Sequence, residues 1–159
     1  MTRLVQWDRL IRYTAEDGVN DRFGEPILPE SGDEDIAALA SKGQLQVKIC
    51  EGSDGPLSMR PTPRIDTVKT LLGPLKPKDV PIIRCIGLNY KTHILETGRP
   101  LPTCPTVFTK PSPSVAAPGE DIPIPRIAQS QCDYEGELVI VIGQEAKNVK
   151  EEDALNYVA

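Results

Sequence analysis

The sequence predicts a mostly β fold of the α+β class, with a small α+β domain at residues 1–78 and a second domain at residues 79–159. Short segments of alternating or continuous apolar residues, separated by turn signals, are typical of strands. Segments with a helical pattern are few and short. The 159 residues suffice for a buried core, and the aromatic share of 4% predicts that this core is mostly aliphatic.

The charge balance limits the partners of the protein. Lys and Arg together number 18 against 23 Asp and Glu, which gives a net charge of −5. A nucleic-acid-binding surface needs a basic face and an anionic membrane attracts basic segments, so neither partner is expected. No run approaches the ~20 apolar residues of a membrane span, and the N-terminus lacks the apolar core of a signal peptide.

The cysteines point to a reducing compartment. The four of them, at positions 50, 85, 104 and 132, lack the Cys-x-x-Cys spacing of a zinc site, and the chain has one histidine. Scattered thiols in an acidic chain are typical of reducing conditions. We therefore expect a cytoplasmic protein, with a mitochondrial location as the alternative.

The N-terminal part contains predicted strands and helices but no motif that suggests chemistry. Its predicted strands lie at 10–13, 22–28 and 44–49. Its predicted helices lie at 33–42 and 65–72. Ser31 or Asp33 is suited to cap the first of these helices, and Gly43 is suited to end it.

The second part begins with an apolar strand, PIIRCIGLNY at 81–90, which runs into a Gly-Leu-Asn-Tyr turn. A short helix is predicted at 91–98, with Thr92 as its N-cap and Gly98 at its end.

A proline-rich stretch follows this helix, with eight prolines between 100 and 125. Strand pieces at 106–108 and 122–124 interrupt it, which favours extended loops around a site over a ligand for an SH3-type domain. A strand at 133–143 and a helix at 149–158 complete the prediction.

His93 and Glu96 lie three residues apart, on one face of the predicted helix. A carboxylate can orient an imidazole and stabilise its protonated form, so the pair is suited to act as a general base on water. A solvated ion pair on a helix would show the same spacing, and the pattern by itself leaves both interpretations open.

Asp133, Glu135 and Glu137 occupy alternate positions of the predicted strand, with about 6.5–7 Å between successive Cα atoms. Burying such like charges is costly unless a divalent cation joins them, and hard oxygen ligands favour Mg²⁺, Mn²⁺ or Ca²⁺. A strand whose first residues face water is the alternative. Lys110, at the end of a strand piece, is either a contact for a substrate carboxylate or a surface lysine.

Three linked blocks lie within residues 82–159: RCIGLNYKTHILETGRPLP, PTVFTKPSPSVAAPGEDIPIP and DYEGELVIVIGQEAKNV. In their order and spacing these blocks resemble the fumarylacetoacetate hydrolase family. The resemblance implies a mixed β-roll, incomplete at its C-terminal end in this chain and preceded by the family's variable small domain. It also implies a homodimer, bound Mg²⁺ or Mn²⁺, and action on 2-oxo or 2,4-dioxo acids such as acylpyruvates or fumarylpyruvate.

The resemblance assigns roles to five residues. Glu135 and Glu137 match the pair that binds the metal. His93 and Glu96 match the pair on a lid helix that activates water, and Lys110 matches the lysine that holds substrate. The family's third metal ligand and a further catalytic lysine lie on later strands, so we expect a chain truncated at its C-terminus, with an incomplete metal site.

Three functions follow as hypotheses. The first is a metal-dependent hydrolase in which His93, oriented by Glu96, activates water to attack the distal carbonyl, and the C–C bond breaks as the metal stabilises the pyruvate enolate. The second is an oxaloacetate decarboxylase that uses the same site without an attacking water. The third is a catalytically incomplete fragment or non-catalytic remnant, for which weak metal binding and no turnover are expected.

Overall fold

The protein folds into two compact units, the first made of Met1–Pro74 with Ala117–Ala159 and the second of Leu75–Ala116. The structure, a computed structural model, describes residues 4–19, 21–29 and 35–159. Strands dominate over short helices, which confirms the mostly β character predicted from the sequence. The domain boundary between residues 78 and 79 stays a prediction.

The described residues of the first unit form four strands and one α-helix. Their bounds are Ile11–Ala15 (β1), Arg22–Pro26 (β2), Ile36–Ser41 (α1), Gln46–Glu51 (β3) and Arg60–Leu72 (β4). Each strand pairs antiparallel with the next, and β4 also pairs with β1, so the four strands close into a barrel. Closure leaves the barrel without an open sheet edge. The strands predicted at 10–13, 22–28 and 44–49 are confirmed as β1, β2 and β3, with small shifts at their ends.

The barrel interior is the hydrophobic core of the first unit. Alternate side chains of β1 point inward, as the two-residue period of a strand requires. The buried cluster comprises Ile11, Tyr13, Ala15, Ala40, Leu45, Val47 and Val68. The core is aliphatic as predicted, except for Tyr13, which is fully buried.

A polar network crosses the barrel wall at Tyr13. The Tyr13 hydroxyl donates to Asp66 Oδ2 at 3.0 Å, and Arg22 Nη1 donates to the same oxygen at 2.7 Å. The network joins three strands, because Tyr13 on β1 is the register partner of Arg22 on β2 and Asp66 lies on β4. Burial, together with the neighbouring Asp66 carboxylate, raises the pKa of Tyr13 above its usual value.

Helix α1 has a defined cap at each end. It follows Asp35, whose carboxylate accepts the Ala37 N–H at 2.8 Å. The predicted caps Ser31 and Asp33 lie outside the described residues. Gly43 ends the helix in the left-handed conformation, with φ +65°, within the pair of backbone hydrogen bonds that defines a Schellman motif. The predicted role of Gly43 is confirmed.

The helix predicted at 65–72 is wrong, because this segment forms the second half of β4. Ile65, Thr67, Val68 and Thr70 are β-branched and favour a strand. In addition, β4 supplies backbone partners to β1 and to β3, so a helix here would leave both of those strands with an open edge.

The second unit contains a two-stranded antiparallel sheet and a short helix. Their bounds are Ile82–Gly87 (β5), Lys91–Glu96 (α2) and Thr106–Pro111 (β6). β5 and β6 pair along their whole lengths, from Ile82 opposite Pro111 to Gly87 opposite Thr106. The strands predicted at 81–90 and 106–108 are therefore confirmed, and so is the helix between them.

Regular structure is sparse between residues 117 and 159. Two 3₁₀ helices occur there, Arg126–Gln131 and Glu151–Tyr157. The helix predicted at 149–158 thus forms as a shorter 3₁₀ helix, and the strand piece predicted at 122–124 is wrong, since no strand is present there. Among the described residues, no helix combines the length and the apolarity needed to cross a membrane.

Packing against Gly24 gives a first test of the barrel core. A Cβ atom at this position would lie 2.8 Å from Val47 Cβ and 3.0 Å from Tyr13 Cε1. Gly24→Ala should lower the free energy of unfolding by about 1–3 kcal/mol, because overpacking forces side chains and backbone to shift. Urea unfolding followed by Trp7 fluorescence measures this, since the sole tryptophan donates to Pro56 O within the same unit.

Gly136→Ala is the matched control. A Cβ atom at Gly136 would meet no atom within 4 Å, so this variant should stay within about 0.5 kcal/mol of wild type. Equal destabilisation by the two substitutions would contradict the close packing around Gly24.

The raised pKa of Tyr13 predicts a loss of stability at alkaline pH. The folded state holds the phenolic proton more tightly than the unfolded chain, in which the pKa is about 10. This contribution to stability is complete below pH ~10 and is lost as the pH rises from there through the folded value. In urea unfolding at a series of pH values, wild type should lose stability more steeply above pH ~10 than Tyr13→Phe. Tyr134→Phe, which alters a side chain 92% exposed, should keep the wild-type slope; parallel curves for all three proteins would refute the prediction.

Candidate functional site

Helix α2 carries the predicted histidine and begins two residues earlier than the predicted cap implies. Its N-cap is Tyr90, which makes no side-chain capping hydrogen bond, and Lys91 is its first residue. The assignment of Thr92 as N-cap is therefore wrong, because Thr92 already lies inside the helix. Gly98, with φ +70°, donates its N–H to Leu95 O and ends the helix as predicted.

The burial of Ile94 sets the orientation of α2. Ile94 is 3% exposed and is the one buried residue among those described in the second unit. With Ile94 directed inward, His93 and Glu96 project outward, with side chains 64% and 74% exposed. The helix therefore presents both residues at the surface.

The structure brings His93 and Glu96 together, as their spacing predicts. His93 Nδ1 lies 3.5 Å from Glu96 Oε2. A carboxylate at Nδ1 favours the tautomer with a proton on that nitrogen, which leaves Nε2 to exchange a proton with water. The geometry suits a general base, and it equally suits a solvated ion pair.

Lys110 lies in the same unit as this pair. It is on β6, opposite Ile83 of β5, and its side chain is exposed. A cation at this position is accessible to an anionic ligand, which is compatible with either of its predicted roles.

The strand predicted at 133–143 is wrong. The described structure has no strand at 133–141, and only Ile142 forms an isolated bridge, with Val158. A strand needs a neighbour that satisfies its backbone hydrogen bonds, and among the described residues only 157–159 run alongside this segment, at its end from 141 to 143. Its apolar side chains are consequently exposed, with Leu138 at 81% and Val139 at 75%.

Glu135 and Glu137 lie within this segment and are exposed. Across the described residues, no group of three or more His, Cys, Asp or Glu side chains is arranged to hold a metal ion. The pair nevertheless fits Mg²⁺ or Mn²⁺ in donor type, because both ions prefer hard oxygens. Mg²⁺ is commonly bound by one or two carboxylates, with water and substrate oxygens at its other positions.

An open cavity of about 400 Å³ lies beside α2 within the second unit. Lys91 is the one charged residue among its described lining residues. Its apolar lining residues are Ile86, Leu88, Ile94, Leu101, Pro102 and Pro105. The cavity is therefore suited to an apolar group and opens next to the helix that carries His93.

Leu88 on the cavity wall has a strained backbone that the sequence did not reveal. Its φ of +55° lies in the left-handed region, which costs a residue with a Cβ about 1–2 kcal/mol. The Gly-Leu-Asn-Tyr turn was the available signal that one residue here is left-handed. Residue preferences would have assigned the left-handed position to Gly87 or Asn89 rather than to the leucine between them.

Cys50 is not suited to act as a nucleophile. All four cysteines are free thiols. Burial raises the pKa of the Cys50 thiol to about 11, which keeps it protonated and a poor nucleophile near neutral pH.

Comparison with known proteins identifies the second half of the chain. Residues 82–159 match the family described as fumarylacetoacetate (FAA) hydrolase C-terminal. This range contains the three blocks that carry the sequence resemblance. No solved structure matches the chain.

Similar proteins extend this result. A caffeoylpyruvate hydrolase of Neonothopanus nambi is 40% identical over 159 residues, covering 96% of this chain and 54% of the relative. A fumarylacetoacetate hydrolase domain-containing protein 2 homolog of Dictyostelium discoideum is 49% identical over 77 residues, covering 48% of this chain and 25% of the relative. A mitochondrial oxaloacetate tautomerase of Xenopus laevis is 46% identical over 76 residues, covering 48% and 24%.

The chain spans about half the length of the first relative and about a quarter of the other two. The similarity to the first relative includes the barrel half as well as the half that carries the blocks. Both comparisons agree with the resemblance seen in the sequence: residues 82–159 of this chain belong to the fumarylacetoacetate hydrolase family.

Proposed function

We propose that the protein to which this chain belongs hydrolyses a C–C bond in a 2,4-dioxo acid of the acylpyruvate class. The observation that carries the proposal is the 40% identity, along 96% of this chain, to a hydrolase named for caffeoylpyruvate. The exposed His93–Glu96 pair, 3.5 Å apart, supports it with a group suited to activate water.

The reaction assigns a step to each member of this pair. Water adds to the carbonyl carbon of the acyl group, the bond from that carbon to the CH₂ group breaks, and its electron pair passes to the pyruvate fragment. His93 takes one proton from the water at Nε2 and returns it to the CH₂ carbon, which becomes the methyl group of pyruvate. The acyl fragment leaves as a carboxylic acid, and Glu96 at Nδ1 stabilises the transient imidazolium.

Glu135 and Glu137 are the proposed metal ligands, for Mg²⁺ or Mn²⁺, with Ca²⁺ sharing the same preference for oxygen. When bound, the cation would act as a Lewis acid on the carboxylate and 2-oxo oxygens of the substrate. Lys110 is proposed to contact the substrate carboxylate as a point charge. The homodimer and the cytoplasmic location stay predictions.

A second candidate function acts on oxaloacetate. The relative from Xenopus laevis is named as an oxaloacetate tautomerase, and the decarboxylase expected from the sequence as an alternative takes the same substrate. Decarboxylation needs no attacking water, so His93→Ala should reduce acylpyruvate cleavage far more than loss of CO₂ from oxaloacetate. A protein that consumes oxaloacetate but no acylpyruvate would replace the first proposal with this one.

Removing the proposed base should abolish most of the hydrolysis. In the full-length protein, His93→Ala should lower kcat by about 10²–10⁴-fold, because general-base assistance to water is lost. Glu96→Gln should cause a smaller loss, since the imidazole remains but its orienting charge does not. Disappearance of acylpyruvate absorbance measures both variants.

Glu145→Gln is the control for this test, because it also removes one exposed carboxylate of the family-matched half. It should retain the wild-type rate. If His93→Ala kept more than about half of the wild-type rate, the assigned role of His93 would be wrong.

Metal dependence is testable by chelation and by direct binding. EDTA should abolish turnover, and added Mg²⁺ or Mn²⁺ should restore it, because the cation supplies the Lewis acid. Isothermal titration with Mn²⁺ should show weaker binding for Glu135→Gln and Glu137→Gln, while Glu145→Gln binds like wild type. Turnover that survives both EDTA and Glu135→Gln would refute the assignment of the ligands.

A further inference from the structure

We propose that the cavity beside α2 holds the acyl group of the substrate, and that Leu88 selects an apolar acyl group. This inference rests on the proposed hydrolysis of acylpyruvates. It adds the site that binds the acyl group, which is the part in which acylpyruvates differ. It also adds the residue that discriminates among acyl groups.

The position of the cavity follows from the reaction. The water activated by His93 attacks the carbonyl carbon of the acyl group, so this group begins next to His93. Ile94 is the next residue along α2, with its Cα about 3.8 Å away, and it lines the cavity. His93 itself does not line the cavity, so the acyl group must lead from the attacked carbon along α2 toward Ile94 to occupy it.

The lining of the cavity favours an apolar occupant. Its volume of about 400 Å³ lies within the range of small-ligand sites, about 300–1,000 Å³. Ile86 and Leu101 on its walls are each 45% exposed. An apolar group seated between them would remove these side chains from water, which favours binding.

Leu88 provides the second, independent observation. It adopts a left-handed conformation, although Gly87 and Asn89, the residue types that tolerate it, lie on either side. The cost of this conformation is not offset by full burial of the side chain, since Leu88 remains 36% exposed. The left-handed backbone places the apolar side chain of Leu88 at the cavity wall, where a bound acyl group would cover it.

Lys91 would favour a different occupant of the cavity. As the one charged residue among the described lining residues, it would suit an acyl group that ends in a carboxylate. The six apolar lining residues favour the uncharged group, and the test below separates the two.

The test compares two substrates in the full-length protein. The kcat/KM for benzoylpyruvate, whose acyl group carries an apolar phenyl ring, is divided by the value for acetylpyruvate, whose acyl group carries only a methyl. In Leu88→Asn and Leu88→Gly this ratio should fall about tenfold or more, while the acetylpyruvate value stays within about threefold of wild type. Both replacements accept the left-handed backbone, so the loss reports on the side chain alone.

Leu95→Gln is the matched control, because it removes a leucine 55% exposed on the same helix and outside the cavity. Its ratio should equal that of wild type. Thermal unfolding verifies that each variant is folded. If a Leu88 variant fails to fold, Leu101→Asn on another wall of the cavity replaces it, and the same fall in the kcat/KM ratio is expected.

Two results would overturn the assignment of the cavity alone. One is an unchanged ratio in folded Leu88→Gly while acetylpyruvate is still hydrolysed. The other is a wild-type preference for fumarylpyruvate over benzoylpyruvate that Lys91→Met removes, which would assign the cavity to a carboxylate-ended group. A wild-type protein that hydrolyses no acylpyruvate would instead overturn the proposed function, and this inference with it.

Discussion

A β-strand persists only where a neighbour satisfies its backbone hydrogen bonds, and that requirement accounts for most of this structure. β4 pairs with β1 and with β3, which closes the barrel and leaves no open edge among its four strands. β5 and β6 satisfy each other over their full lengths. The segment 133–141 has a strand-like sequence but no strand partner among the described residues, so its apolar side chains and its carboxylates are exposed to solvent.

Burial of a single side chain organises the candidate site. Because α2 is short, directing Ile94 inward determines where its other side chains point. His93 and Glu96 come to the surface as a pair, and Ile94 itself becomes part of the cavity wall. The proposed base and the proposed acyl-binding cavity therefore involve adjacent residues of α2.

The two halves of the chain contribute differently to function. The barrel half has a fully buried tyrosine whose hydroxyl is hydrogen-bonded, and it carries no recognisable chemistry of its own. The proposed base and the residues of the cavity lie in the second unit, whereas the proposed metal ligands belong to the segment 117–159 of the first.

The sequence by itself determined the family, the strands β1–β3, β5 and β6, the glycine ends of both helices, and the spacing that pairs His93 with Glu96. These features depend on residue types and on neighbours a few positions away. Tertiary structure decided the rest. Whether 65–72 became a strand or a helix depended on distant pairing partners, and so did the loss of the strand at 133–141. The left-handed Leu88 is likewise a tertiary result, because local preference favours glycine or asparagine and only surroundings outside the turn can hold a leucine there.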